Sequence, residues 1–166
     1  MKININNFFI KNLMGIVQHF DYDKYWSRRE KVVNPACKLP TIVKLWYLYY
    51  IKKCDAFNCA SMGTDLNGGA TFKSRPVLEH GLNGIIISHF AEIGYNCTIY
   101  QQVTIAQNEF DEAAKIGNNV EIGAGAKIIG KVVIGNNVKI GANCIIVEDI
   151  PDNATVVLNK PRIIVK

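Results

Sequence analysis

Glu79-His80 places a carboxylate beside an imidazole, and Gly81 and Gly84 follow closely. Imidazole titrates near neutral pH and can take the proton of a hydroxyl as that hydroxyl attacks. His80 is therefore the candidate general base. His89 lies in a turn of a repeat and reads as solvated, while His19 belongs to an N-terminal helical stretch. No Ser or Cys has the setting of an activated nucleophile, so a covalent enzyme intermediate is not expected. His80 and His89 lack a third ligand, and no metal site is expected. No glycine-rich nucleotide-binding motif leads into a helix, which argues against an NTPase or a dehydrogenase.

What positions His80 is a repeat of six. From Leu66 to Val147 an aliphatic or aromatic residue recurs at every sixth position: Ile87, Ile93, Ile99, Ile105, then Ile116, Ile122, Ile128, Ile134, Ile140 and Ile146. Gly94, Gly117, Gly123, Gly135 and Gly141 follow five of these anchors. A small or β-branched residue precedes each next anchor by two, as at Ala91, Cys97, Val120, Ala126 and Cys144. An α-helix does not repeat in six, and one strand of this length would need turns. One hexapeptide per side and three sides per turn satisfy the pattern: a parallel β-helix of triangular section, its anchors pointing inward. Glycine would then permit close or unusual backbone geometry at the corners.

The period breaks twice. Nine residues separate Leu78 from Ile87, and eleven separate Ile105 from Ile116. Insertions in a solenoid are pushed outward and commonly line its binding face. The two bulges fall near neighbouring corners and are expected to frame one site, with His80 in the first.

The totals bound the rest. The 166 residues are enough for one domain with a core. No run of eighteen is apolar and uncharged, and the polar start Met1-Lys2-Ile3-Asn4 lacks the core of a signal peptide, so a cytoplasmic protein is expected. Five scattered cysteines without a CxxC pair read as reduced thiols, with Cys97 and Cys144 in core slots. A net charge of +5 favours an anionic partner, but no zinc-finger or RNA-binding motif accompanies it, so nucleic acid is not expected.

Before the repeat, Tyr22 to Lys31 reads as a helix with an aromatic packing face and a charged one; Tyr25, Trp26 and Arg29 are candidates for an acceptor-pocket wall. A second helix runs from about Thr41 to Asp55, with Leu45, Trp46, Leu48, Tyr49 and Tyr50 making a wide apolar stripe. So wide a stripe suggests burial, for instance between subunits. Peripheral membrane association is a further reading, with Lys44, Lys52 and Lys53 meeting anionic lipid.

The sequence resembles the bacterial hexapeptide-repeat acyltransferases, and within them the serine acetyltransferase-like branch, from Asp65 to the C-terminus. The residues that carry the likeness are Asp65, Glu79-His80 before a bulge, Ile99-Tyr100-Gln101-Gln102-Val103-Thr104-Ile105, Gly123-Ala124-Gly125-Ala126-Lys127-Ile128 and Lys160-Pro161. The resemblance implies an all-β core, a left-handed parallel β-helix over 61–158, with a short α-helical segment over 1–60 and a tail over 159–166. It implies a homotrimer using acetyl-CoA, with His80 as base and Asp65 close to it. Glu79 would touch the acceptor. Gly123, Ala124, Gly125, Ala126, Gly141 and Ala142 would line the coenzyme groove, with Lys127 and Lys160 near its phosphates. Those enzymes carry Arg-His-Pro where this chain reads Glu112-Ala113-Ala114, and their helical N-terminal domain is longer. With Tyr25-Trp26-Ser27-Arg28-Arg29, these departures direct the expectation to members that modify polysaccharide. The acceptor expected is a sugar hydroxyl in a surface polysaccharide or its precursor, such as a nucleotide sugar. Serine O-acetylation is the first alternative, and a non-catalytic trimeric scaffold the second.

Overall fold

The computed structural model describes residues 13, 15–159 and 164. Helices over Tyr22–Val33 and Thr41–Phe57 lead into a left-handed parallel β-helix. Its first side stacks Ser61–Met62, Ile86–Ile87, Thr104–Ala106, Lys127–Ile129 and Ile145–Ile146. The second stacks Thr71–Phe72, Glu92–Ile93, Lys115–Ile116 and Val133–Ile134, and the third Thr98–Ile99, Glu121–Ile122, Lys139–Ile140 and Thr155–Val156. Anchor lies on anchor in register: Ile87 on Ile105, Ile105 on Ile128, Ile128 on Ile146. The ten isoleucine anchors are all buried, and the small residues two before them fill the remaining interior. Every side therefore contributes an isoleucine anchor and, two residues before it, a second inward residue that is small or β-branched, which is what the six-residue period encodes.

The corners divide two tasks that the sequence reading assigned to glycine together. Gly94 is needed for close approach, because a Cβ there would stand 2.2 Å from the Gly117 carbonyl oxygen of the next coil. The left-handed backbone falls instead on the third residue after an anchor: Asn96, Gln102, Asn119, Asn137 and Asn143 have φ of 54°, 60°, 56°, 57° and 58°. Asparagine tolerates this region better than most residues. Its amides also form a ladder, Asn119 Nδ2 donating to Asn137 Oδ1 at 3.0 Å and Asn137 Nδ2 to Asn153 Oδ1 at 2.9 Å.

Helix α1 (Tyr22–Val33) begins at Asp21, whose carboxylate accepts from the Lys24 amide at 2.8 Å. Helix α2 (Thr41–Phe57) follows the Pro40 start. Both rest on the first coil through polar as well as apolar contacts. Arg29 is 2 % exposed; its Nε donates to Thr64 Oγ1 at 3.0 Å and its Nη2 to the Met62 and Ala70 carbonyls at 3.0 and 2.7 Å. Burial brings this guanidinium down to about 10, so it stays charged at neutral pH. Tyr25 donates to Asp55 Oδ1 at 2.7 Å, and burial pushes the Asp55 carboxyl up to about 6.

These contacts correct the acceptor-wall expectation. Tyr25 and Trp26 are almost wholly enclosed, and the Arg29 fork is occupied by backbone and threonine oxygens. Trp26 and Arg29 border a groove of about 580 Å³ between α1 and residues 67–75, but their polar and ring surfaces serve to dock helix on coil. Lys44 is corrected likewise: it is buried, and its Nζ donates to the Asn34 carbonyl and to Asn67 Oδ1, so it cannot face lipid.

Candidate functional site

The chain enters the first side through one corner and leaves it through another, and the expected site residues divide between them. The entry corner stacks the first bulge, then Tyr100-Gln101-Gln102, then Gly123-Ala124-Gly125, then Gly141-Ala142-Asn143. Backbone bonds tie these layers: the Gln102 amide donates to the Asn83 carbonyl at 2.9 Å, Gly125 to Gln101 at 3.0 Å, and Asn143 to Ala124 at 2.8 Å. Glu79 and His80 are exposed on the bulge, and the His80 ring centroid lies 6.4 Å from that of Tyr100.

The exit corner stacks Asp65, Ser88-His89-Phe90 and the second bulge. Here Asp65 Oδ2 touches His89 Nδ1. The expectation that Asp65 pairs with His80 is thus not met within one chain: its partner is His89, a residue read from sequence as merely solvated. The reason is register. Ser61–Met62 lies over Ile86–Ile87, which carries Asp65 over the residues that follow Ile87, whereas His80 precedes that strand. The contact leaves His89 Nε2 as the outward nitrogen of a ring whose other nitrogen is held by a carboxylate.

The second bulge is closed on itself. Ser88 Oγ donates to Gln107 Oε1 at 2.6 Å, Gln107 Nε2 to Asp111 Oδ1 at 2.6 Å, and Asn108 Oδ1 accepts from the Phe110 and Glu112 amides at 2.9 and 3.0 Å. Lys131 bonds Glu112 at 2.6 Å and holds that carboxyl below its ordinary range. Ala113 and Ala114 are buried. The bulges flank the two ends of the first side and do not meet around one pocket in a single chain.

The proposed coenzyme residues are brought to the entry corner, with two changes. Ala126 is fully buried and belongs to the interior. Gly123 answers to coil stacking, since a Cβ would stand 2.7 Å from the Ala142 nitrogen. Ala142 is exposed, while Ala124, Gly125 and Gly141 are half-buried, so backbone and small side chains form the outer surface there. Lys127 extends along it and donates to the Gln102 carbonyl at 2.9 Å. Such a surface fits a thin, amide-bearing pantetheine arm. Lys160 lies outside the described residues. Among the described residues no cluster of three or more His, Cys, Asp or Glu side chains is placed to hold a metal, and no helix is long and apolar enough to cross a membrane.

The class this architecture defines is the hexapeptide-repeat left-handed β-helix, and residues 113–147 match the bacterial transferase hexapeptide model. Within that class the coil region is similar to the serine acetyltransferase-like branch of acyltransferases. It is 39% identical over 98 residues to a serine acetyltransferase of Staphylococcus aureus (strain N315), covering 57% of this chain and 46% of that one. It is 34% identical over 107 residues to the Bacillus subtilis (strain 168) serine acetyltransferase, covering 63% and 49%. Among solved structures, Entamoeba histolytica serine acetyltransferase isoform 3 in complex with cysteine aligns with a TM-score of 0.62 at 32% identity, over 74% of this chain and 43% of that one. The chain spans about half the length of the curated relatives it matches.

These matches overturn the sugar-hydroxyl expectation. The relatives are serine acetyltransferases, and a carbohydrate or nucleotide-sugar acceptor has no support among them. The missing Arg-His pair and the different residues before the coils weigh less than these matches. Both are departures from a pattern, and a departure does not specify a different acceptor.

Proposed function

We propose that the protein is an acetyl-CoA-dependent serine O-acetyltransferase. The observation that carries this is the 39% identity to a serine acetyltransferase over 98 residues. In the proposed reaction the serine hydroxyl attacks the thioester carbonyl as its proton passes to His80. The tetrahedral centre collapses, the C–S bond breaks, and the leaving CoA thiolate takes the proton back from the imidazolium. The products are O-acetylserine and CoA. Glu79, beside His80, is assigned to acceptor contact. The small-residue surface from Ala124 to Ala142 is assigned to the coenzyme arm.

His80 and the Asp65–His89 pair occupy different corners of one prism. We assign the working unit as a homotrimer in which the exit corner of one copy faces the entry corner of the next, so that both groups reach one acceptor. Closed cyclic symmetry makes three such sites.

The test is release of CoA thiol from acetyl-CoA on adding serine, with O-acetylserine confirmed by mass spectrometry. Serine-dependent turnover is expected. No thiol release with serine would sink the reading and favour the non-catalytic scaffold.

A further inference from the structure

Helix α2 presents three faces. One is buried on the coil, through Ile51, Cys54 and Asp55. A second carries Tyr47 and Tyr50, whose rings lie under α1 cations: Arg28 stands 4.1 Å from the Tyr50 centroid, Lys24 5.2 Å from it, and Lys31 5.9 Å from that of Tyr47. The third turns outward, and its apolar side chains are exposed among the described residues. Ile42, Leu45, Trp46 and Tyr49 are exposed there, Trp46 by 66%, and the Trp46 and Tyr49 rings stack at 5.7 Å. They line a shallow apolar hollow of about 550 Å³.

Charge decides what covers this face. Lys52 and Lys53 continue the stripe at its C-terminal end, Lys38 stands before the helix, and the α1 cations run beside it; all but the half-buried Arg28 are exposed. Among the described residues none of these six cations has a carboxylate within 4.0 Å. The only acid of α2, Asp55, is buried, and the α1 acids Asp23 and Glu30 are paired with Arg75. A second copy laid face to face would set one cation row against another. An anionic bilayer meets both features: aromatic and aliphatic side chains enter the headgroup boundary while lysines stay at the charged surface.

We propose that the outward face of α2 docks on an anionic lipid surface. The proposal is independent of the reaction proposed above and is read without measuring turnover.

Of the chain's two tryptophans, Trp26 is buried and Trp46 is exposed, so Trp46 emission reports on this face. The full chain is mixed with vesicles of phosphatidylcholine alone or of equimolar phosphatidylcholine and phosphatidylglycerol, then pelleted. Partitioning at least about tenfold stronger to the anionic vesicles is expected, with a blue-shifted emission, and it should weaken in high salt. Trp46→Phe should lose the shift but still pellet in part. Lys52→Glu/Lys53→Glu should lose most of the binding while keeping the wild-type circular dichroism. Equal partitioning to both vesicles, or a shift that survives Trp46→Phe, overturns the proposal. So does a lipid-free shift that grows with protein concentration alongside a rise in sedimenting mass, which would assign the face to a second copy.

Discussion

Asp65 holds His89 by its Nδ1, across one step of the β-helix, and leaves His80 on the opposite corner of the same side. Asp65 and His89 should therefore behave as one unit. Asp65→Asn and His89→Ala are expected to lower kcat/KM for serine to a similar degree, with the double variant little worse than either, because paired residues are not additive. His80→Ala should cost more, roughly 10²–10⁴-fold, the usual loss for a positioned base. A silent His89→Ala together with a damaging Asp65→Asn would show that Asp65 works through another partner.

The assignment of these residues to two copies has its own test. Sedimentation should give about three times the 18.5 kDa chain mass. Mixed after co-refolding, His80→Ala and Asp65→Ala chains should show more activity than either variant alone. Random assembly makes roughly a quarter of the interfaces wholly intact. No recovery in trimers verified as mixed would place the site within a single chain.

Arg29 should be among the costliest single positions for stability. Removing it orphans Thr64 Oγ1 and two backbone carbonyls in a buried setting. Arg29→Ala is expected to lose about 3–5 kcal/mol in urea unfolding. Arg29→Lys should recover only part, since an ammonium cannot reproduce the planar fork. A loss below about 1 kcal/mol would mean that the helices dock without it.

Asp55 sets a pH dependence. Its folded carboxyl titrates at about 6, above the ordinary carboxylate value, because burial disfavours the charged form. The folded state therefore binds this proton more tightly than the unfolded chain. The contribution is fully present below about pH 4 and is lost as pH rises through 6, on the order of 2–3 kcal/mol. Asp55→Asn keeps an acceptor for the Tyr25 hydroxyl and should flatten the stability profile between pH 4 and 7. An unchanged slope in that variant would assign the dependence elsewhere.

The asparagine corners allow a cleaner test of local geometry. At Asn137, with φ of 57° and a place in the amide ladder, Ala should cost roughly 1–2 kcal/mol and Gly less. Equal costs for both would show that the ladder, not the backbone, dominates.

The coils were legible because the anchors repeat without regard to context: a buried isoleucine every sixth residue leaves one architecture that encloses them all. The corner chemistry was legible only in part. Asparagine at the third position after Ile93, Ile116, Ile134 and Ile140 is as periodic as the glycines and marks the left-handed residue, yet the glycines drew the inference. The site was harder. Which histidine Asp65 meets depends on the stacking register of two coils, and the Thr64–Asp65 hairpin with Gly68–Gly69 displaces any simple count. Tyr25, Trp26 and Arg29 looked like a binding wall because aromatic and guanidinium groups serve docking and recognition equally well. Their burial, not their type, distinguishes the two.

The paired small residues of the interior also make a clock. Cys97 and Cys144 are sealed in different coils, while Cys59 is exposed. Each coil of a solenoid leans only on its neighbours, so opening can begin at either end and travel inward. A thiol reagent should mark Cys59 at once and the two sealed cysteines only when their own coils part. The order in which mass spectrometry finds Cys97 and Cys144 labelled would then report the direction in which the prism unwinds.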